Sequence, residues 1–269
     1  MKIITLTTDF GTGDFEIGTL SGVIWRIAPH ARIVDLTHDI GRHNIRQAAL
    51  MLERVTPFFP EGSIHIVVVD PGVGTHRRPL AARLGTQYFV GPDNGLLTRM
   101  LDLARADNQL VEIVTPNRRE FWLPEVSNIF HGRDVFSPVA AHLAAGTPLQ
   151  ALGDTIDDPV LLHFPQPEPI PGGWRGEVLD IDYFGSLGTN IKVEHLRGSR
   201  ALRVQIAGRC IEGLSRTFGE GKPGDLLALI DSSNELAVSV VNGSAERELQ
   251  AKVGDEVIVT LLNSAENIK

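Results

Sequence analysis

Over its first 160 residues the chain alternates short apolar, β-branched runs with stretches whose apolar positions recur at helical spacing: residues 2–8, 15–27, 32–36, 45–55 and 63–69. This rhythm predicts β-α-β-α-β, a parallel sheet covered by helices. The run IHIVVVD is almost unbroken in apolar residues, as expected for a central strand buried on both faces, with Asp70 at its carboxyl end. After it come a turn-rich segment, PGVGTHRRP, and a short strand around residues 88–90. The helix opening in GPDNGLLTRMLDLA has Asp93 or Asn94 as its cap, and a further strand lies near residues 111–115. A last helix is predicted over residues 132–145, with Pro138 at its first turn or at a kink.

The pattern breaks at HFPQPEPIPGGW, residues 163–174, where four prolines and two glycines destroy both periodicities. Beyond it, GEVLDIDYFG, TNIKVEHL, ALRVQIAGRCIEG, LLALIDSS, ELAVSVVNG and DEVIVTLL read as short strands separated by turns, the pattern of a small β-barrel or sandwich. The expected organisation is an α/β domain over residues 1–162, a linker over 163–174 and an all-β domain over 175–269.

Composition narrows the function. A chain of 269 residues has length for a core without disulfide or metal staples. Its formal net charge of -8 argues against a surface that binds nucleic acid. One cysteine, Cys210, allows no intrachain disulfide and no thiolate cluster, and fits a reducing cytosol. The N-terminal MKIITLTTDF lacks the pattern of a secretory signal, and apolar stretches such as residues 66–69 are far short of the roughly 18 residues that span a bilayer, so a cytoplasmic protein without membrane contact is expected.

Four segments could carry chemistry. TDFGTGD, residues 8–14, is a glycine-rich turn at a strand end, where α/β sheets bind ligands. Glu16 occupies the third glycine position of a dinucleotide fingerprint and opposes a pyrophosphate, which disfavours a nicotinamide-dependent oxidoreductase. Asp9 can accept two hydrogen bonds from a vicinal diol, or form a turn or helix cap. Asp70 leaves the central strand seven residues before Arg77 and can pair with it, although Arg78 is equally available by spacing. His131, in NIFHGRD, stands in a polar helix start that could face the same strand ends. His38 and His43 flank Asp39 without the spacing of a metal motif, so no metal is expected. The fourth segment, DYFGSLGTNI from Asp182, is a turn rich in donors and acceptors, or a plain hairpin.

In order and spacing, the segments TDFGTGD, VVDPGVGTHRR, GPDNGLL, FHGRD, AAHLAAG, FGSLGTNI and SSNELAVSVVNGSA resemble the S-adenosyl-L-methionine hydroxide adenosyltransferases, relatives of the fluorinase and chlorinase that act on the same substrate. The resemblance implies hydrolysis of S-adenosyl-L-methionine to adenosine and L-methionine by water attacking ribose C5′, with no cofactor. It implies a Rossmann-like N-terminal domain, a C-terminal β-barrel, and a homotrimer whose substrate lies between the N-terminal domain of one subunit and the C-terminal domain of the next.

Carried over by position, Asp9 is similar to the residue that grips the ribose diol, and Asp70, Arg77 and His131 to the set that positions and activates water, with either Asp70 or His131 as base. Asp182 resembles the acceptor for the methionine amino group. Ser232 and Ser233 lie where the family holds the carboxylate. Phe184, Ser186, Asn242, Ser244 and Ala245 fall in the adenine-binding part.

The chain departs from the fluorinase pattern at Gly132, where a fluoride-contacting serine stands, at Asp70, in place of an uncharged aromatic, and at His43, also in place of an aromatic. Ser186 replaces the Asn of many relatives. An anionic Asp70 would repel a halide nucleophile, which sets hydrolysis ahead of a chlorinase-like reaction. A non-catalytic nucleoside or S-adenosylmethionine sensor would have no use for Asp70, Arg77 and His131.

Overall fold

The computed structural model describes residues 2–199 and 201–262. The chain divides into two compact units at the step from Leu162 to His163. In the first, β1 (Ile3–Thr8), α1 (Glu16–Ile27), β2 (Arg32–Thr37), α2 (Ile45–Val55) and β3 (Ile64–Val68) follow one another. They are succeeded by β4 (Pro79–Leu84), β5 (Gln87–Pro92), α3 (Thr98–Ala106), β6 (Val111–Thr115), α4 (Ser137–Ala144) and β7 (Asp154–Thr155). The sheet order is β2-β1-β3-β5-β4-β6-β7. Strands β2, β1, β3 and β5 run parallel, whereas β4, β6 and β7 add antiparallel ladders.

The sheet is therefore mixed rather than mostly parallel. The difference is β4, whose PLAARL carries two alanines and no β-branched residue, so propensity alone does not mark it as a strand. It is held as one by the two-residue Gly85–Thr86 turn, with Gly85 at a φ of 58°, which folds β4 back on β5.

The nearly unbroken apolar run of β3 reflects burial on both faces. Ile64, Ile66 and Val68 pack with Leu20 and Ile24 of α1 and Val139 of α4, while Val67 and Val69 pack with Leu52 of α2 and Leu101 of α3. The interruption in this run, His65, is fully buried between Phe59 and Phe89, with its Nδ1 2.8 Å from the Thr5 hydroxyl. Burial pulls its pKa down to about 4. The folded protein keeps His65 neutral while the unfolded chain protonates near 6.5, so its contribution is complete above 6.5 and is lost as pH falls toward 4. His65→Asn is expected to remove up to about 3 kcal/mol of the stability lost between pH 6.5 and 4, measured by urea unfolding at each pH.

The second unit contains β8 (Glu168–Ile170), β9 (Gly173–Ile181), β10 (Leu187–Lys192), β11 (Leu202–Ile206), β12 (Arg209–Glu212), β13 (Leu226–Ile230), β14 (Glu235–Val240), α5 (Ala245–Leu249) and β15 (Glu256–Leu261). Its antiparallel path, β12-β11-β15-β9-β10-β14-β13, nearly closes, because Ser215, just beyond β12, bridges to Leu229 of β13. Alternate residues, among them Val178, Val204, Val238 and Val259, point into its core. The stretch 163–174 is not a structureless linker: β8 and the start of β9 form a hairpin within it, with Glu168 opposite Arg175. Its one proline within a strand, Pro169, is tolerated because β8 is an edge strand that pairs on one side only. Among the described residues no helix is long and apolar enough to cross a membrane.

Candidate active site

Because Thr8 of β1 lies in register with Val68 of the parallel β3, Asp9 and Asp70 leave neighbouring strands at the same carboxyl end. Between them opens a cleft of about 430 Å³, lined by Asp9, Phe10, Glu16, His43, Asp70, Phe130 and His131. Asp9 accepts a hydrogen bond from the backbone N–H of His43 at 2.8 Å, and His43 adopts a φ of 61°. Glu16 begins α1 and Arg42 precedes His43; neither has an ion-pair partner among the described residues, and both face the cleft.

Arg77, which does not itself line the cleft, takes Asp70 in a two-point grip. Its Nε donates to Oδ1 at 3.1 Å and its Nη2 donates to Oδ2. The pair is dry, with the Arg77 and Asp70 side chains 7% and 5% exposed. Arg78, equally close in sequence, turns instead to Asp93 and Asp158. The Arg77 guanidinium lies over the Phe136 ring, 5.3 Å from its centroid.

Nη2 of Arg77 is also 2.9 Å from Nδ1 of His131. A guanidinium only donates, so Nδ1 accepts and the proton of the neutral imidazole sits on Nε2. Burial, then the adjacent Arg77 charge, holds the His131 pKa below the usual imidazole range. His131 is thus a neutral donor through Nε2–H.

His131 owes its position to a π-helical turn, Gly132–Phe136, that precedes α4. Such turns recur at functional sites. Fully buried Asp134 within it accepts from the backbone N–H of Ser127 at 2.8 Å and from Arg133. The loop so fixed presses the Asn128 carbonyl onto Gly74, where a Cβ would come within 2.2 Å of it, and the positive φ of 75° favours glycine independently. The Asp70–Arg77 loop and the His131 loop are therefore locked together.

The second unit carries the other expected residues. Asp182 folds its own loop: Oδ1 accepts from the N–H of Phe184 at 2.9 Å and of Ser186 at 2.8 Å, and the second oxygen has no hydrogen-bond partner among the described residues. Phe184 and its neighbour Tyr183 project outward, 74% and 98% exposed. Gly185, at a φ of 81°, packs so closely on Ser244 that a Cβ would meet its Oγ at 2.1 Å. Ser244 caps α5 by accepting from Arg247 N–H, Ala245 is buried, and Asn242 is exposed in the turn before them, at a φ of 53°. Tyr183, Phe184, Ser244 and Arg247 line a cleft of about 550 Å³.

Ser232 and Ser233 lie elsewhere, in the turn from β13 to β14, where Ser233 N–H donates to Asp231. The pairing of β10 with β14 sets this turn at the opposite end of β14 from the Asp182 loop, about 17 Å away at roughly 3.4 Å per residue. The structure therefore brings Asp182 together with Phe184, Ser186 and Ser244 but not with Ser232 and Ser233.

Residues that line the cleft without having been given a role from sequence include Phe10, Ile129 and Phe130, inside the motifs, Phe15 and Arg42, beside motif residues, and Glu16, read only as an obstacle to a pyrophosphate. Among the described residues no three His, Cys, Asp or Glu side chains are grouped as metal ligands.

Residues 4–153 match the domain family described as SAM hydroxide adenosyltransferase N-terminal domain, and residues 176–258 match its C-terminal domain. A protein of Salinispora arenicola named (R)-S-adenosyl-L-methionine hydrolase is 40% identical over 263 residues, covering 96% of this chain and 97% of its own. One of that name from Thermus thermophilus is 37% identical over 269 residues, covering 94% and 98%. A fluorinase from Actinoplanes is 27% identical over 293 residues, covering 96% and 97%. The crystal structure of an uncharacterized conserved protein from Thermotoga maritima superposes with a TM-score of 0.86 at 35% identity, over 97% of this chain and 100% of that one.

Proposed function

The chain belongs to the SAM hydroxide adenosyltransferase family, and we propose from this premise that it hydrolyses S-adenosyl-L-methionine, in the (R) form named for its relatives, to adenosine and L-methionine. The observation that carries the mechanism is the Arg77 guanidinium donating at once to Asp70 and His131 beside an acid-lined cleft.

The leaving group needs no assistance. As the C5′–S bond breaks, its electron pair neutralises the sulfonium, and methionine departs as a thioether. Water is the weak partner, and holding it in line with C5′ can lower the barrier by up to about 7–11 kcal/mol in ideal cases. In our reading the Nε2–H of His131 donates to the water oxygen and Asp70 accepts the water's proton as the C–O bond forms. The attacking oxygen becomes strongly acidic as it bonds to carbon, so even a carboxylate paired with arginine can take the proton. Nothing in this sequence calls for a metal or a redox cofactor.

Asp9 would hold the ribose diol, with the His43 N–H fixing the carboxylate. Phe184, Ser186, Asn242, Ser244 and Ala245 would receive the adenine and Asp182 the methionine ammonium. The Rossmann-like character of the first unit and full barrel closure of the second belong to the same reading, as does a cytoplasmic setting. We also infer a homotrimer that joins the first unit of one chain to the second unit of the next. Its support is exposed apolar surface at both clefts: Phe15 and Ile129, 67% and 81% exposed, and Tyr183 with Phe184. Sedimentation should give three chains per particle, and a fully active monomer would contradict the shared site. Chromatography after incubation with each sulfonium epimer should yield adenosine and methionine in equal amounts from the (R) form; binding without any product would favour a sensor.

A further inference from the structure

We propose that His38 is a positioning residue for the Asp9 side of the cleft, acting through the Thr8 hydroxyl. This rests on the reading of Asp9 as the group that holds the ribose diol. His38 and Thr8 are buried, 5% and 0% exposed, and neither lines the cleft. His38 nevertheless grips both ends of the turn that carries Asp9 and Phe10. Its Nδ1 is 2.9 Å from the Thr8 Oγ, and its backbone carbonyl accepts from Gly11 N–H at 2.8 Å.

The polarity of the contacts is consistent from end to end. Nε2 of His38 lies 3.2 Å from Asp35 Oδ1 but out of hydrogen-bond geometry, so the nearby carboxylate favours a proton on Nε2 through charge alone. Nδ1 then accepts from the Thr8 hydroxyl, whose oxygen in turn accepts from Phe10 N–H at 3.2 Å. The segment running on from His38 also supplies the His43 N–H that fixes the Asp9 carboxylate. One buried imidazole thus ties the β1 end to the loop on which Asp9 leans. Loss of the clamp leaves Asp9 its charge but frees its carboxylate to wander, which weakens its grip on a diol without touching the reacting carbon.

The test compares the sulfonium substrate with its 2′-deoxy counterpart in four variants, each checked for its thermal midpoint. Asp9→Asn should raise KM for the ribose substrate and have little effect with the deoxy one. Thr8→Val, nearly isosteric, and His38→Leu should each raise KM for the ribose substrate about tenfold, with kcat within about threefold and little change for the deoxy substrate. His38→Asn, whose amide oxygen can accept from Thr8, should recover most of the loss. If Thr8→Val and His38→Leu harm both substrates equally, or act mainly on kcat, the clamp is only structural and the proposal fails while the diol reading stands. If Asp9→Asn itself does not distinguish the substrates, the diol reading fails and the role of His38 falls with it.

Discussion

Asp70→Asn is expected to lower kcat by about 10²–10⁴-fold, the usual worth of general-base assistance, with KM changed only a few-fold. The substitution keeps the volume of the side chain and removes its capacity to take a proton. It also places one amide N–H against an Arg77 donor, since both carboxylate oxygens accept from that guanidinium. Part of the loss is therefore positional. Stopped-flow separation of binding from chemistry should show normal substrate association followed by slow turnover. Near-native kcat would remove Asp70 from the role of base.

Arg77→Met should be harmful in two separable ways. The Asp70 carboxylate, 5% exposed, loses its counter-charge, and stranding one member of a buried pair costs about 3–5 kcal/mol. His131 Nδ1 loses its donor too, so the imidazole is free to turn and to change tautomer. Both a lower unfolding midpoint and a kcat loss of at least about 10²-fold are expected. Arg77→Lys keeps the charge but cannot span Asp70 and His131 with a planar fork, so it should recover much of the stability and little of the turnover. Recovery of both by lysine would show that Arg77 acts only as a point charge.

What could be read in advance follows from where local pattern decides structure. Asp9 and Asp70 were legible because parallel β-α-β runs place residues at strand ends by geometry alone. The partner of Asp70 was not. Spacing left Arg77 and Arg78 level, and the choice fell to tertiary acceptors: Asp93 and Asp158 hold Arg78 away from the cleft. Strand β4 was hidden because its alanines carry no strand signal and its pairing partners, β5 and β6, supply what propensity does not.

Strand β8 was hidden for the opposite reason: Pro169 lies within it, and an edge strand escapes the hydrogen bonds that a proline cannot make. The π-helical turn under His131 depends on Asp134 reaching Ser127, a contact without a sequence period. Ser232 and Ser233 lie close to the Asn242–Ala245 segment along the chain, yet the length of β14 separates them in space. The clamp of His38 on Thr8 spans thirty residues, and the two histidines near Asp39 suggested only a weak metal motif.

The central claim is that water, held by Asp70, Arg77 and His131, attacks ribose C5′. Incubating the protein with S-adenosyl-L-methionine in H₂¹⁸O containing chloride, and weighing the nucleoside product by mass spectrometry, tests it most directly. Adenosine carrying one ¹⁸O in its 5′-hydroxyl is the predicted result, while 5′-chloro-5′-deoxyadenosine, or adenosine without the label, would contradict it.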